Sequence, residues 1–127
     1  MIHLAEKSRK STDVSSDNSV IELAVAYLKN NYANDISVDD VSRHVSVSKA
    51  HLSRIFKAET GFGIKEYLTL YRIKQAEFML SESSANPISE IAYDCGFNDS
   101  NYFASLFKKT VGVTPTEFRK KISTKQD

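Results

Sequence analysis

An all-α chain built from two copies of one helical unit is predicted by three observations. Glycine and proline are scarce, four and two among 127 residues, too few to turn an all-β chain of this length. Apolar residues recur at helical rather than alternating spacing along most of the sequence. The second half also repeats the apolar pattern of the first.

Composition narrows the class further. Hydrophobic residues make up 41% and charged residues 26%, an ordinary globular balance. The single cysteine, Cys95, excludes an internal disulfide framework and a multi-cysteine zinc site. No apolar run approaches the roughly 18 residues of a membrane span, and MIHLAEKSRK carries no apolar signal core. The sequence therefore predicts no membrane partner and a cytoplasmic, reduced setting. Seventeen Lys and Arg oppose sixteen Asp and Glu, a formal net charge of +1. Any nucleic-acid role must rest on where those charges stand.

Residues 1–18 are polar and aperiodic, so they are expected to form a disordered tail or interdomain linker. Order is expected near Ser19, where Ile21, Ala24, Val25 and Leu28 fall on one helical stripe ending near Asn31. Ser37 then caps a short helix, with Asp39 and Asp40 in its first turn and Val41 and Val45 on its apolar face. Ser46-Val47-Ser48 interrupts it. Ser48 caps a second helix that faces inward with Leu52, Ile55 and Phe56 and stops at Gly61 and Gly63. These elements make a first subdomain, 19–62. A long helix follows over Ile64 to Leu80, within a linker segment 63–81. Its apolar residues lie on more than one side, which predicts packing from two directions. Asn86-Pro87 opens a second subdomain, 82–122, followed by a tail, 123–127.

The two subdomains align. Val38, Asp40, Val41, Val45 and Val47 match Ile88, Glu90, Ile91, Cys95 and Phe97 at an offset of 50. Past the turn the offset is 51, laying LSRIFKAETG (52–61) over FASLFKKTVG (103–112) and Glu66-Tyr67 over Glu117-Phe118. Each copy is a helix, a short turn and a second helix, the outline of a helix-turn-helix. Val41-Ser42 and Ile91-Ala92 supply the apolar-then-small pair where the helices cross. Ser46-Val47 and Gly96-Phe97 supply a permissive turn residue followed by an apolar plug. One such hairpin is as easily a plain packing motif; two in one chain favour DNA binding.

The outward residues of each second helix are those a major groove would meet. In the first copy they are Ser48, Lys49, Ala50, Ser53, Arg54 and Lys57, with Arg54 suited to a guanine edge. In the second they are Asp99, Ser100, Asn101, Tyr102, Ala104, Ser105 and Lys108, with Asn101 suited to adenine and small neighbours that permit close approach. Apart from Asp99 these faces carry no acid, and Asp39, Asp40, Glu66, Glu77, Glu90 and Asp94 are expected on other surfaces. Lys108, Lys109, Arg119, Lys120 and Lys121 form a basic edge that suits phosphates.

Other constellations read as structural. His44 and His51 stand on different helices without an acidic or Cys partner, too little for a metal site. Cys95 takes the place of Val45 and is expected in the core. The glycines lie at helix ends and turns, so no phosphate-cradling loop, nucleophile elbow or other enzyme motif is present. The alternative to DNA binding is a helical protein-interaction module that has lost it.

Residues 20–121, about four-fifths of the chain, resemble the DNA-binding domain of the AraC/XylS family of bacterial transcription regulators. The likeness rests on Arg72-Ile73, Ala76 and Leu80, then Ile88, Ile91-Ala92 and Gly96-Phe97, then Phe103, Phe107, Gly112 and Thr114-Pro115. It implies seven helices, two helix-turn-helix subdomains joined by a rigid helix, and reading helices at 49–58 and 99–110 in successive major grooves. Those grooves are about 34 Å apart, and a helix over 64–80 spans roughly 25 Å. The partners implied are double-stranded promoter or operator DNA at the nucleoid and RNA polymerase, with no cofactor. The family's effector or dimerisation domain has no counterpart in 18 polar residues, so it is expected to lie outside this chain.

Overall fold

The computed structural model describes residues 12–82 and 86–126, with side chains placed for 16–82 and 86–122. Seven α-helices and no strand occur among the described residues: α1 Thr12–Asn31, α2 Val38–Val45, α3 Lys49–Thr60, α4 Ile64–Glu82, α5 Ile88–Asp94, α6 Ser100–Val111 and α7 Pro115–Gln126. The all-α architecture follows the sequence reading. Helix α1 begins seven residues before Ser19. Its first turns are rich in Ser and Asp, residues of low propensity inside a helix, and they lead into the amphipathic stretch without an apolar stripe of their own. The rest of the expected tail, residues 1–11, lies outside the described residues. At the other end, α7 runs through most of the expected 123–127 tail.

The described residues form two compact units, one from 12–31 with Ile36–Tyr67, the other from Tyr32–Asp35 with 68–82 and 86–126. The division falls inside α4. In the first unit α1 packs on α2 and α3, and Ile21, Ala24, Leu28, Val41, Val45, Leu52, Ile55 and Phe56 are buried. In the second, Ile73, Ala76, Leu80, Ile91, Ala92, Cys95, Phe97, Phe103 and Phe107 form one apolar cluster. Burial pushes the Cys95 thiol up to about 12, and its sulfur lies 3.6 Å from that of Met79. The thiol is an inert core group, as its match with Val45 predicts.

The repeat extends to individual hydrogen bonds. At the turns, the Val47 amide reaches the Ser42 carbonyl at 3.2 Å and the Phe97 amide reaches the Ala92 carbonyl at 3.0 Å. Ser46 and Gly96 both take positive φ, 60° and 97°. The second helices end alike, with Gly61 and Gly112 donating to the carbonyls of Lys57 and Lys108 at 2.9 and 2.8 Å. Glu66 accepts from the Gly63 amide at 3.3 Å, and Glu117 accepts from the Thr114 amide at 2.9 Å. Even the ring contacts recur. Phe56 meets Tyr67 edge-on with centroids 5.4 Å apart, and Phe107 meets Phe118 edge-on at 5.5 Å.

Candidate nucleic-acid interface

Helix α3 is held in phase by its buried residues Leu52, Ile55 and Phe56. That phase leaves Lys49, Ala50, Ser53, Arg54 and Lys57 exposed along one side, as the sequence predicts. Ser48 is exposed too, and its hydroxyl accepts from the His51 amide at 3.1 Å, so it starts the helix. On α6, buried Phe103 and Phe107 set the phase. Asn101, Tyr102, Ser105 and Lys108 are exposed, whereas Ser100 and Ala104 are half-buried. The Asp99 carboxylate accepts from the Asn101 and Tyr102 amides at 2.8 and 3.2 Å. Its charge is thereby engaged at the positive end of the α6 dipole, which answers the presence of an acid in a face otherwise free of them. Tyr102 is 56% exposed, its ring centroid 6.3 Å from that of Phe97.

Two acids lie closer to the α3 face than the sequence predicts. Asp39 Oδ1, from the first turn of α2, is 3.3 Å from Lys49 Nζ. Asp17, on α1, is 3.4 Å from His51 Nε2, and His51 Nδ1 is 2.7 Å from Arg54 Nη2. Both are contacts between helices, which periodicity within one helix does not reveal. Lys65, in the first turn of α4, joins Lys49, Ala50 and Ser53 in lining one shallow groove. Its only sequence signal is a place just past the Gly61-Gly63 stop. The two histidines are engaged separately, since His44 stacks on Tyr27 with centroids 4.5 Å apart.

The basic edge is smaller than expected. Arg119 is half-buried and donates to the Asn86 carbonyl, so it braces α7 against the segment before α5. Lys108, Lys109, Lys120 and Lys121 stay exposed. The α3 face is thus a cationic strip with one planar donor fork, matching the paired acceptors on guanine's major-groove edge. The α6 face is smaller and mostly neutral, with the Asn101 amide as its two-way donor and acceptor.

A family model described as a helix-turn-helix domain matches residues 41–121. An uncharacterised helix-turn-helix-type transcriptional regulator from Pseudoalteromonas carrageenovora is 40% identical over 117 residues, covering 92% of this chain and 69% of its own. A crystal structure of an AraC-type DNA-binding-domain regulator from Chromobacterium violaceum superposes with a TM-score of 0.79 at 27% identity, covering 85% of this chain and 96% of that one. The chain belongs to the AraC family of transcription regulators. The helix-turn-helix-type transcriptional activator RhaS of Escherichia coli (strain SE11) is 32% identical over 119 residues. Those residues cover 94% of this chain and 42% of RhaS. In this AraC-family chain the matched stretch runs from Val41 to Lys121, so it takes in most of α2, all of α3 to α6 and the first half of α7, and leaves out α1.

Proposed function

We propose that the chain binds double-stranded DNA sequence-specifically for a bacterial transcription regulator, with α3 and α6 reading successive major grooves. The observation that carries this reading is the repeat itself. Two helix-turn-helix units share cap, turn and stop hydrogen bonds, and each presents its second helix with a polar face outward. A DNA-binding role needs such a face on a rigid element, and Arg54 and Asn101 are the base readers within it. Lys49, Lys57, Lys65 and Lys108 act as phosphate anchors. We read the chain as a binding module rather than an enzyme, acting at the nucleoid. Among the described residues no helix is long and apolar enough to cross a membrane.

The name of RhaS as a transcriptional activator supports RNA polymerase as a second partner. An effector or dimerisation domain outside these 127 residues fits the same reading, since the matched stretch is 42% of RhaS. The direct test is Ala50→Asp, which places an acid at an exposed position of α3 without touching its buried face. Fluorescence anisotropy with the duplex most enriched from a random pool should show at least a tenfold loss of affinity, with the thermal unfolding midpoint unchanged. Unaltered affinity in that folded variant would remove α3 from the groove and favour the protein-interaction module.

A further inference from the structure

The side chain of Arg54 does not stand alone on α3. His51 and Arg54 are three residues apart, neighbours on one helix face, and Arg54 Nη2 lies 2.7 Å from His51 Nδ1. A guanidinium only donates, so Nδ1 is the acceptor and carries no hydrogen. The imidazole hydrogen is then on Nε2, which lies 3.4 Å from Asp17 Oδ1 on α1. The carboxylate fixes the ring tautomer and the ring fixes the guanidinium. Asp17, Asn18, Ile21, Arg54, Ile55 and Glu59 line one shallow groove beside this contact. The arrangement brings α1 to the base-reading residue.

We propose that His51 is a positioning residue for Arg54, backed by Asp17, so that the base preference of the first unit depends on α1. This rests on the reading of α3 as a DNA-reading helix. A free arginine samples many rotamers, and ordering one on binding opposes affinity. Engaging one Nη2 hydrogen beforehand removes part of that cost and leaves the rest of the donor fork for a guanine edge. The strength of each link follows its length. The 2.7 Å contact is a full charge-assisted hydrogen bond, whereas 3.4 Å marks a weaker, largely electrostatic one. His51 therefore matters more than Asp17.

The test compares affinity for the most enriched duplex with affinity for a random-sequence duplex, using the full chain and its variants. Asparagine places a polar group near the position of imidazole Nδ1, and glutamine places one near Nε2. His51→Asn is expected to keep the specificity ratio within about threefold of wild type. His51→Gln should lower it about tenfold, the effect of losing one well-formed base contact, while binding to random DNA is unchanged. Asp17→Asn should lower the ratio by a smaller factor of about two to three. Circular dichroism checks that each variant is folded. If Arg54→Ala lowers the ratio and His51→Gln does not, Arg54 reads bases without His51 and the positioning role is overturned while the DNA-reading function stands. If His51→Asn and His51→Gln lose the ratio equally, His51 acts by packing and the proposal also fails. If Arg54→Ala weakens both duplexes equally, Arg54 is a phosphate anchor and both ideas about it fall together.

Discussion

Gly96 shows how much one residue can decide. Its φ of 97° is in the left-handed region, and a Cβ there would lie 2.6 Å from the Tyr32 carbonyl oxygen and 2.8 Å from Arg72 Nε. The crowding arises because Arg72 donates from Nε to the Tyr32 carbonyl at 2.7 Å and from Nη2 to the Asn34 carbonyl at 2.8 Å. The turn of the second hairpin thus packs against the strap that Arg72 ties down. Ser46, its counterpart, occupies the same backbone region with a side chain, which is tolerated at modest strain. Gly96→Ala should destabilise the fold by roughly 2–4 kcal/mol, combining backbone strain with a clash. Gly112→Ala, with φ 103° and open space around it, should cost about 1–2 kcal/mol. Thermal or urea unfolding of both variants measures the difference, and equal losses would mean that the Arg72 strap yields freely. The permissive residue was legible in the sequence as Gly96 before Phe97. Its tight surroundings were not, because Tyr32 and Arg72 approach it from distant parts of the chain.

At the scale of elements, helix starts carry most of the local signal. Ser37 and Asp40 form a reciprocal cap, with bonds of 3.1 and 2.9 Å, and Thr114 and Glu117 form another, at 3.1 and 2.9 Å. The backbone amides of Ser37 and Thr114, helped by their hydroxyls, hold the Asp40 and Glu117 carboxyls below the ordinary carboxylate range. A lowered folded value adds stability above the unfolded value and loses it as pH falls through the folded one. The melting temperature should therefore hold from neutrality to about pH 5 and fall below about pH 4. Asp40→Asn with Glu117→Gln should be less stable at pH 7 and flatter in acid, whereas an unchanged acidic limb would show that the caps contribute nothing. The first cap was legible because Ser37-x-x-Asp40 is a local pattern; Thr114-x-x-Glu117 is a pattern of the same kind that the sequence reading did not single out as a cap. The start of α1 was not, since TDVSSDNS has no apolar stripe and its Asp17 finds His51 only across helices. Arg119 was misplaced for a similar reason. A run of three basic residues looks uniform in sequence, yet the turn of α7 directs one of them to the Asn86 carbonyl.

For the whole molecule, the account depends on one chain carrying two reading helices. The doubled pattern was legible because apolar positions, the Phe-Lys pair and the closing glycine recur at a nearly constant offset. The electrostatics at each helix face were less so, because Asp39 reaches Lys49 from α2 and Asp17 reaches His51 from α1. The two units are unequal readers on this account, the first through Arg54 and cations, the second through Asn101, close approach and DNA shape. Selection of bound duplexes from a random pool at physiological salt, followed by sequencing, tests the central claim most directly. Two preferred blocks with centres about one helical turn apart, the sharper one containing guanine, are the predicted result. A single block would contradict reading by α6, and no enrichment by the folded chain would contradict DNA reading altogether.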